Sequence, residues 1–187
     1  MSLDLEANRS SRKYSRGQQV GRVVWALCKP LFRLSPRVLF GWRAWLLRVL
    51  GARVGRHVHV YNTVEIFLPS NLAVGDWSAI GDRALLYNLG PIVIGTKVTI
   101  SQRAHLCAGT HEYTRADMPL LKPPITVQDQ AWICADAFVG PGVTVGEGAV
   151  VGARAVVVRN VEPWSVIAGN PARFVKRREM PDSDSGK

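Results

Sequence analysis

From Val54 onward, aliphatic residues recur every six positions. They stand at Val54, Val60 and Ile66, then, after two extra residues, at Val74, Ile80 and Leu86. Two more extra residues precede Ile94, Ile100 and Leu106, and the series resumes at Val127, Ile133, Val139, Val145, Val151 and Val157. Seven of these fifteen positions are followed by glycine. Four places after most of them sits a small or β-branched residue, such as Val58, Ala84, Val98, Ala131 or Ala155. That residue and the next aliphatic are two apart, so on a strand both point to the same side. One large and one small apolar residue per six then line a narrow interior, and glycine suits the tight corner after each aliphatic. Strands this short cannot bury a face alone; they must stack coil on coil. The pattern predicts an all-β solenoid over 54–162, with three strands to a coil and the two-residue insertions at coil boundaries.

Upstream the period is helical. Val20, Val23, Val24, Leu27 and Leu31 share one stripe, with Arg22 and Lys29 off it. Pro30 should end or kink that helix. Ser35 and Pro36 are a start signal for a second helix carrying Val38, Leu39, Trp42, Trp45, Leu46, Val49 and Leu50. Residues 20–53 thus form an amphipathic helical arm. Its apolar side can cap the exposed coil end, or its Trp and Arg side chains can rest on an anionic membrane surface; the residues leave both open. Residues 1–19 are polar and basic and read as flexible.

At His111 the six-residue frame breaks. An irregular loop over 107–125 separates Leu106 from Val127. A histidine where a rigid scaffold is interrupted is a candidate for chemistry, because loops held by a scaffold carry function. After Val161 an exit segment over 163–187 holds the turn cluster Ala168-Gly-Asn-Pro-Ala172. It continues into a short basic stretch, expected to be helical, with Arg173, Lys176, Arg177 and Arg178. The tail from Asp182 is expected to be disordered.

Charge sharpens the division. Residues 1–56 hold twelve of the 24 Lys and Arg but only Asp4 and Glu6, so that segment carries the whole formal charge of +10. The remainder, with twelve bases and twelve acids, is neutral, which argues against a nucleic-acid-binding body. Cys28, Cys107 and Cys134 make no CxxC pair or metal spacing and read as reduced packing residues. No leader pattern is evident, and no run reaches the roughly 18 uncharged apolar residues of a membrane span.

The repeat, the interrupting loop with its histidine and the Ala168–Ala172 exit motif together resemble the hexapeptide-repeat acyltransferases over about residues 54–178. Leu86-Tyr-Asn-Leu, Leu106-Cys-Ala-Gly-Thr-His-Glu-Tyr-Thr, Ala135-Asp-Ala-Phe-Val-Gly-Pro-Gly-Val, and upstream Ser35-Pro-Arg and Gly41-Trp-Arg, are most similar to the acetyltransferases assigned to colanic acid biosynthesis. The resemblance implies a left-handed parallel β-helix, although the general preference for right-handed crossovers would say otherwise. It further implies a homotrimer with acetyl-CoA in a groove between neighbouring subunits, and O-acetyl transfer to a sugar hydroxyl of a surface or exported polysaccharide, on a lipid-linked precursor at the cytoplasmic membrane face.

By the same resemblance His111 is the catalytic base of a direct transfer. An ordinary pKa near 6.5 suits a group that takes and returns a proton near neutrality. Asn88, Glu112 and Tyr113 are candidates for the acceptor, with a turn (Asn-Leu-Gly-Pro) the competing reading of Asn88. Trp132, Ala135, Ala153, Arg154, Arg173 and Lys176 are candidates for acetyl-CoA; Arg154 can reach a phosphate or narrow the groove. His57, His59 and His105 lie off the inward positions and read as surface residues, and no metal site is expected. The readings that compete with this one are another small acceptor, such as an amino sugar or amino acid, and a non-catalytic scaffold.

Overall fold

The computed structural model describes residues 3–180; the tail expected to be disordered lies outside the described residues. The chain from Arg53 forms a parallel β-helix of about six turns. Its two- to four-residue parallel strands fall into three faces. Val54, Val74, Ile94, Val127 and Val145 lie in register on the first face. Val60, Ile80, Ile100, Ile133, Val151 and Ile167 do so on the second. Ile66, Leu86, Leu106, Val139 and Val157 do so on the third. All sixteen are buried, and the small residues Ala84, Ala104, Ala131, Ala137, Ala149 and Ala155 are fully or almost fully enclosed beside them.

The corners have a different logic from the one expected. The residue after each aliphatic is not left-handed. Gly75 is required by contact between coils: a Cβ there would lie 2.6–2.8 Å from the backbone of Gly95 and Thr96 in the next coil. The left-handed residue is the third after the aliphatic, and it is usually not glycine. His57, Trp77, Arg83, Lys97, Arg103, Gln130, Asp136, Arg154 and Trp164 all have φ between 56° and 62°. An L-residue in that region costs roughly 1–2 kcal/mol, which the regular stacking of the coils must offset. Successive corners pile these side chains on one another. The His57 and Trp77 rings stack at 4.0 Å, and the Arg103 guanidinium grips Asp136 at 2.6 and 2.8 Å.

Every length irregularity falls at one corner, between the third and first faces. The segments from Ile66 to Val74 and from Leu86 to Ile94 carry the two-residue insertions, and that from Leu106 to Val127 carries the long loop.

Three helices precede the solenoid: α1 (Leu5–Ser10), α2 (Arg16–Arg33) and α3 (Phe40–Val49). The first corrects the expectation of a flexible N-terminus. α1 lies on the long loop, with the Asp4 N–H donating to Ala116 O at 2.8 Å and the Asn8 amide bonded to the same turn. Ser15 caps α2 in a capping box with Gln18, and the helix runs on through Pro30 to Arg33. Pro30 is tolerated because Trp25 and Phe32, on either side of it, anchor the helix. Both are buried, and the Trp25 indole donates to Ile66 O at 2.7 Å. Pro36 does not open the second helix; Pro36 to Leu39 is a turn, and α3 begins at Phe40. Leu46 and Leu47 of α3 close the first coil.

The stripe that sequence periodicity singled out on α2 faces outward. Val23, Leu27 and Leu31 are exposed, and beyond the helix Leu34 and Val38 are 83% and 78% exposed. The face against the solenoid instead uses Trp25, Phe32 and the pairs of Lys29 and Arg33 with Glu65, at 2.7 and 2.6 Å. Those cations hold the Glu65 carboxyl below its usual range, with the Lys29 hydrogen bond the main cause.

At the other end the basic exit segment is a strand, not a helix. Arg173–Arg177 pairs antiparallel with Ser165–Ala168 and covers the open edge of the second face.

Candidate active site

The long loop leaves the third face at Cys107. Thr110–His111 pairs antiparallel with Leu120–Leu121, so the loop is a short hairpin whose far turn includes Arg115 to Met118. Its return passes Gly90, where any Cβ would collide with Lys122 O. Met118 is left-handed at φ 40°, an unfavourable conformation for a side chain of that size. Its carbonyl lies 2.7 Å from His111 Nδ1. A carbonyl cannot donate, so Nδ1 is the donor, and in the neutral ring Nε2 is the nitrogen with the lone pair. His111 itself is half-buried.

The three acceptor candidates part ways. Asn88 is fully buried: its Oδ1 accepts from the N–H groups of Phe67 and Leu68, each at 3.0 Å, and its Nδ2 donates to Leu68 O at 2.6 Å. It knits two coils together, and within one chain its amide is taken up by the backbone of Phe67 and Leu68. Glu112 does not orient His111. Its carboxylate is occupied by Thr114, through Oγ1 at 2.6 Å and N at 3.3 Å, and these bonds hold its pKa down. Tyr113 stands exposed on the loop.

The donor candidates form a line along one edge. Trp132, Val150, Val166 and Lys176 are neighbours in one cross-strand row of the second face. The Trp132 indole donates to Ser101 Oγ at 2.9 Å while much of its ring stays open to solvent. Ala135 and Ala153 follow at the corner between the second and third faces, and Arg154 sits there beside Asp136. A groove lined by Arg37, Tyr61, Asp82, Arg83, Ser101 and Arg103 continues that corner downward. Of the four exit bases, Arg177 donates to Pro163 O, and Arg178 donates to Gln130 O and Gly148 O, so both tether the segment. Arg173 and Lys176 have no acid partner among the described residues.

His111 and this line do not meet within one chain. The histidine hangs from the corner between the third and first faces; Ala135 and Ala153 mark the corner between the second and third.

The other titratable groups are occupied elsewhere. His59 stacks on Phe40 at 4.3 Å. His105 is not a surface residue: it packs edge-on against Phe138, its Nε2 is buried, and burial pushes its pKa down. Burial pushes the Cys107 and Cys134 thiols up, so both favour the protonated form that is a poor nucleophile. No group of three His, Cys, Asp or Glu side chains converges among the described residues.

Two features were not anticipated. The Met118 carbonyl is a backbone group and carries no side-chain signal. Beside the loop, Tyr14, Phe67 and Tyr87 form an aromatic cluster with Arg22 lodged over the Tyr14 and Phe67 rings and Lys122 over Tyr14. Tyr14 comes from the segment read as flexible, so its neighbours could not be inferred.

No protein-family model matches the chain. Over 154 residues it is 41% identical to the Escherichia coli K12 protein named "Putative colanic acid biosynthesis acetyltransferase", spanning 82% of this chain and 85% of that one. It is 28% identical to the galactoside O-acetyltransferase of the same organism, over 74% of this chain and 69% of the relative. Among solved structures, a hexapeptide-repeat acetyltransferase of Vibrio cholerae superposes with a TM-score of 0.81 at 25% identity, over 89% of this chain and 95% of that one. The Vibrio protein has also been solved with acetyl coenzyme A. These neighbours are left-handed β-helices, and the solenoid described above has the same architecture.

Proposed function

The chain belongs to the hexapeptide-repeat acetyltransferases, enzymes that use acetyl-CoA, and on that premise we propose that it acetylates a sugar hydroxyl, with His111 as general base, in the assembly of a polysaccharide. One observation carries the reading. The bond from Nδ1 to Met118 O leaves Nε2 as the His111 nitrogen available to accept a proton. A sugar hydroxyl is a very weak acid, so its proton must leave as its oxygen attacks. Nε2 takes that proton, the oxygen bonds to the thioester carbonyl carbon, and the carbon–sulfur bond breaks. The proton on Nε2 then goes to the departing thiolate. Transfer is direct, from the thioester to the acceptor oxygen, with no acyl-enzyme step. Acetyl-CoA supplies the activated acetyl group. Trp132, Ala135 and Ala153 provide a flat, uncrowded edge for its pantetheine arm, and Arg173 and Lys176, with no acid partner among the described residues, offer cations for its phosphates. Arg154 stands at the same corner as a further phosphate contact.

The separation of His111 from that edge favours a closed cyclic homotrimer, in which the loop of one protomer reaches the edge of its partner. The sugar identities in the names of its relatives favour a saccharide acceptor over an amino acid. Of the three acceptor candidates, Tyr113 is the one that stands exposed.

We place the enzyme at the cytoplasmic face of the membrane, where a lipid-linked acceptor would reside. The support is the outward stripe of Val20, Val23, Leu27, Leu31, Leu34 and Val38, continued by the stacked and partly exposed Trp42 and Trp45. Arg12 and Arg16 flank its start with no acid partner among the described residues. An apolar stripe with basic flanks suits an anionic interface, and none of the described helices is long and apolar enough to cross one. The protein should co-sediment with phosphatidylglycerol vesicles and far less with neutral ones. Leu27→Glu with Leu34→Glu should weaken that binding about tenfold or more per site, given roughly 1.5–3 kcal/mol for each buried leucine. Equal recovery of wild type and variant would sink the placement.

The direct test of the transferase reading is thermal stabilisation by acetyl-CoA, followed by CoA release with galactosides as acceptors. Ligand at about a hundred times its dissociation constant adds roughly 2.7 kcal/mol. Absence of stabilisation at millimolar acetyl-CoA would defeat the reading.

A further inference from the structure

We propose that Asn8, on α1, is a positioning residue for His111, acting through the carbonyl of Met118; the inference rests on the reading of His111 as the base. Asn8 belongs to no coil and lies outside the repeat, yet its side chain is enclosed. Its Nδ2 donates to Asp117 O at 2.8 Å and to Met118 O at 2.5 Å. Its Oδ1 accepts from Lys13 Nζ at 2.9 Å. Two carbonyls on one side and an ammonium on the other leave a single orientation for the amide, because only its NH2 end can donate and only its oxygen can accept.

The Met118 carbonyl therefore serves two donors, Asn8 Nδ2 and His111 Nδ1. A carbonyl oxygen has two lone pairs, and here both are taken. Fixing that oxygen from the Asn8 side fixes the ring on the other side in rotation and in tautomer. The arrangement needs an external hold. Met118 is left-handed, and such a backbone persists only where its surroundings over-determine it. Within the loop, the Met118 N–H reaches Arg115 O at 3.1 Å. Among the described residues, every hydrogen bond reaching Ala116 to Met118 from outside the loop comes from α1 or its cap: Asp4 to Ala116, and Asn8 to Asp117 and Met118. The solenoid supplies the hairpin, and the N-terminal helix supplies the register of its turn. If the clamp is released, the Met118 carbonyl turns, Nδ1 loses its fixed acceptor, and Nε2 is no longer held as the basic nitrogen.

The test uses the full chain labelled with 15N-histidine, with His111→Ala to assign its ring signals. Wild type should show His111 as a single Nδ1–H tautomer. Asn8→Ala, and the near-isosteric Asn8→Asp, which presents oxygens to both carbonyls, should shift His111 toward mixed tautomers. The signals of His57, His59 and His105 should stay in place. With an alkyl galactoside as acceptor, kcat should fall about 10- to 100-fold, the scale of a misplaced catalytic group, with the KM for acetyl-CoA unchanged. In the His111→Ala background, Asn8→Ala should bring no further loss of the residual rate, because the two act as one unit. An unaltered His111 tautomer in both variants would overturn the proposal. So would the same fold-loss repeated in the His111→Ala background, or a shift of all four histidines together, which would mark a purely structural role. Wild-type turnover by His111→Ala alone would instead defeat the base assignment, and the tautomer signals would still decide whether Asn8 fixes the ring.

Discussion

His111→Ala should lower kcat for acetyl transfer about 10³-fold, the middle of the range for loss of a positioned general base, while leaving acetyl-CoA binding intact. The two effects separate because His111 acts on the acceptor's proton during attack, whereas the contacts proposed for acetyl-CoA are made by other side chains. His111 hangs on the hairpin after the third face, whereas Trp132, Ala135 and Lys176 mark the edge of the second. About a thousandfold corresponds to roughly 4 kcal/mol of transition-state stabilisation, much more than the single bond to Met118 O could contribute to folding. The variant should therefore melt within a few degrees of wild type. The measurement is steady-state CoA release beside a thermal-shift titration with acetyl-CoA. Retained turnover would remove His111 from the chemistry. Loss of acetyl-CoA stabilisation together with turnover would mean that the hairpin also shapes the donor site.

The second large effect is on stability. Arg43→Ala should cost roughly 3–5 kcal/mol, the scale of leaving buried polar partners unsatisfied. Arg43 is fully buried on α3, and among the described residues no acid meets it. Its guanidinium donates to Val60 O at 2.6 Å, Ser35 Oγ at 2.9 Å, Pro36 O at 2.8 Å and Arg37 O at 2.6 Å, with its Cζ 4.9 Å from the centre of the Phe40 ring. Burial pushes its pKa down, and those oxygens are what keep its charge in place. This one side chain joins the turn after α2 to the first coil. Removing it takes the donor from Val60 O and Arg37 O, while Pro36 O keeps the Leu39 N–H and the Ser35 hydroxyl keeps Phe32 O, and it opens a cavity beneath α3. For a protein with about 5–15 kcal/mol of stability in hand, that is a large fraction. Urea unfolding should show a clearly lower midpoint. Arg43→Met, which keeps most of the stem but no donor, should lose most of the same amount. If Arg43→Met were near wild type, packing and not hydrogen bonding would explain the site.

How much was legible from sequence varied by region, for physical reasons. The solenoid could be read because its constraint is local and repeated: one large aliphatic per six residues, and the same demand at every coil. The glycines were legible as marks but not in their role, since the close approach of Gly75 to Gly95 lies between coils. The left-handed corners were invisible, because arginine, lysine and histidine fill them as readily as glycine does. The outward stripe of α2 was read correctly as a stripe, but its direction could not be. Hydrophobic periodicity gives a face and not the side on which the protein lies, and here Trp25 and Phe32 decide that. The exit strand was misjudged because its partner, Ser165–Ala168, offered an open edge that only the assembled solenoid presents.

At the candidate active site the division is sharper still. By itself the sequence determined the repeat, its interruption and the histidine in the gap, because these are matters of order and spacing along one chain. Only the tertiary structure decided which nitrogen of His111 is free, that Asn88 is bound up between coils, and that an N-terminal segment of unremarkable composition bonds the turn behind the histidine. Each depends on backbone carbonyls meeting side chains up to 110 residues away. A carbonyl has no letter in a sequence, so such contacts exist only once the chain has folded.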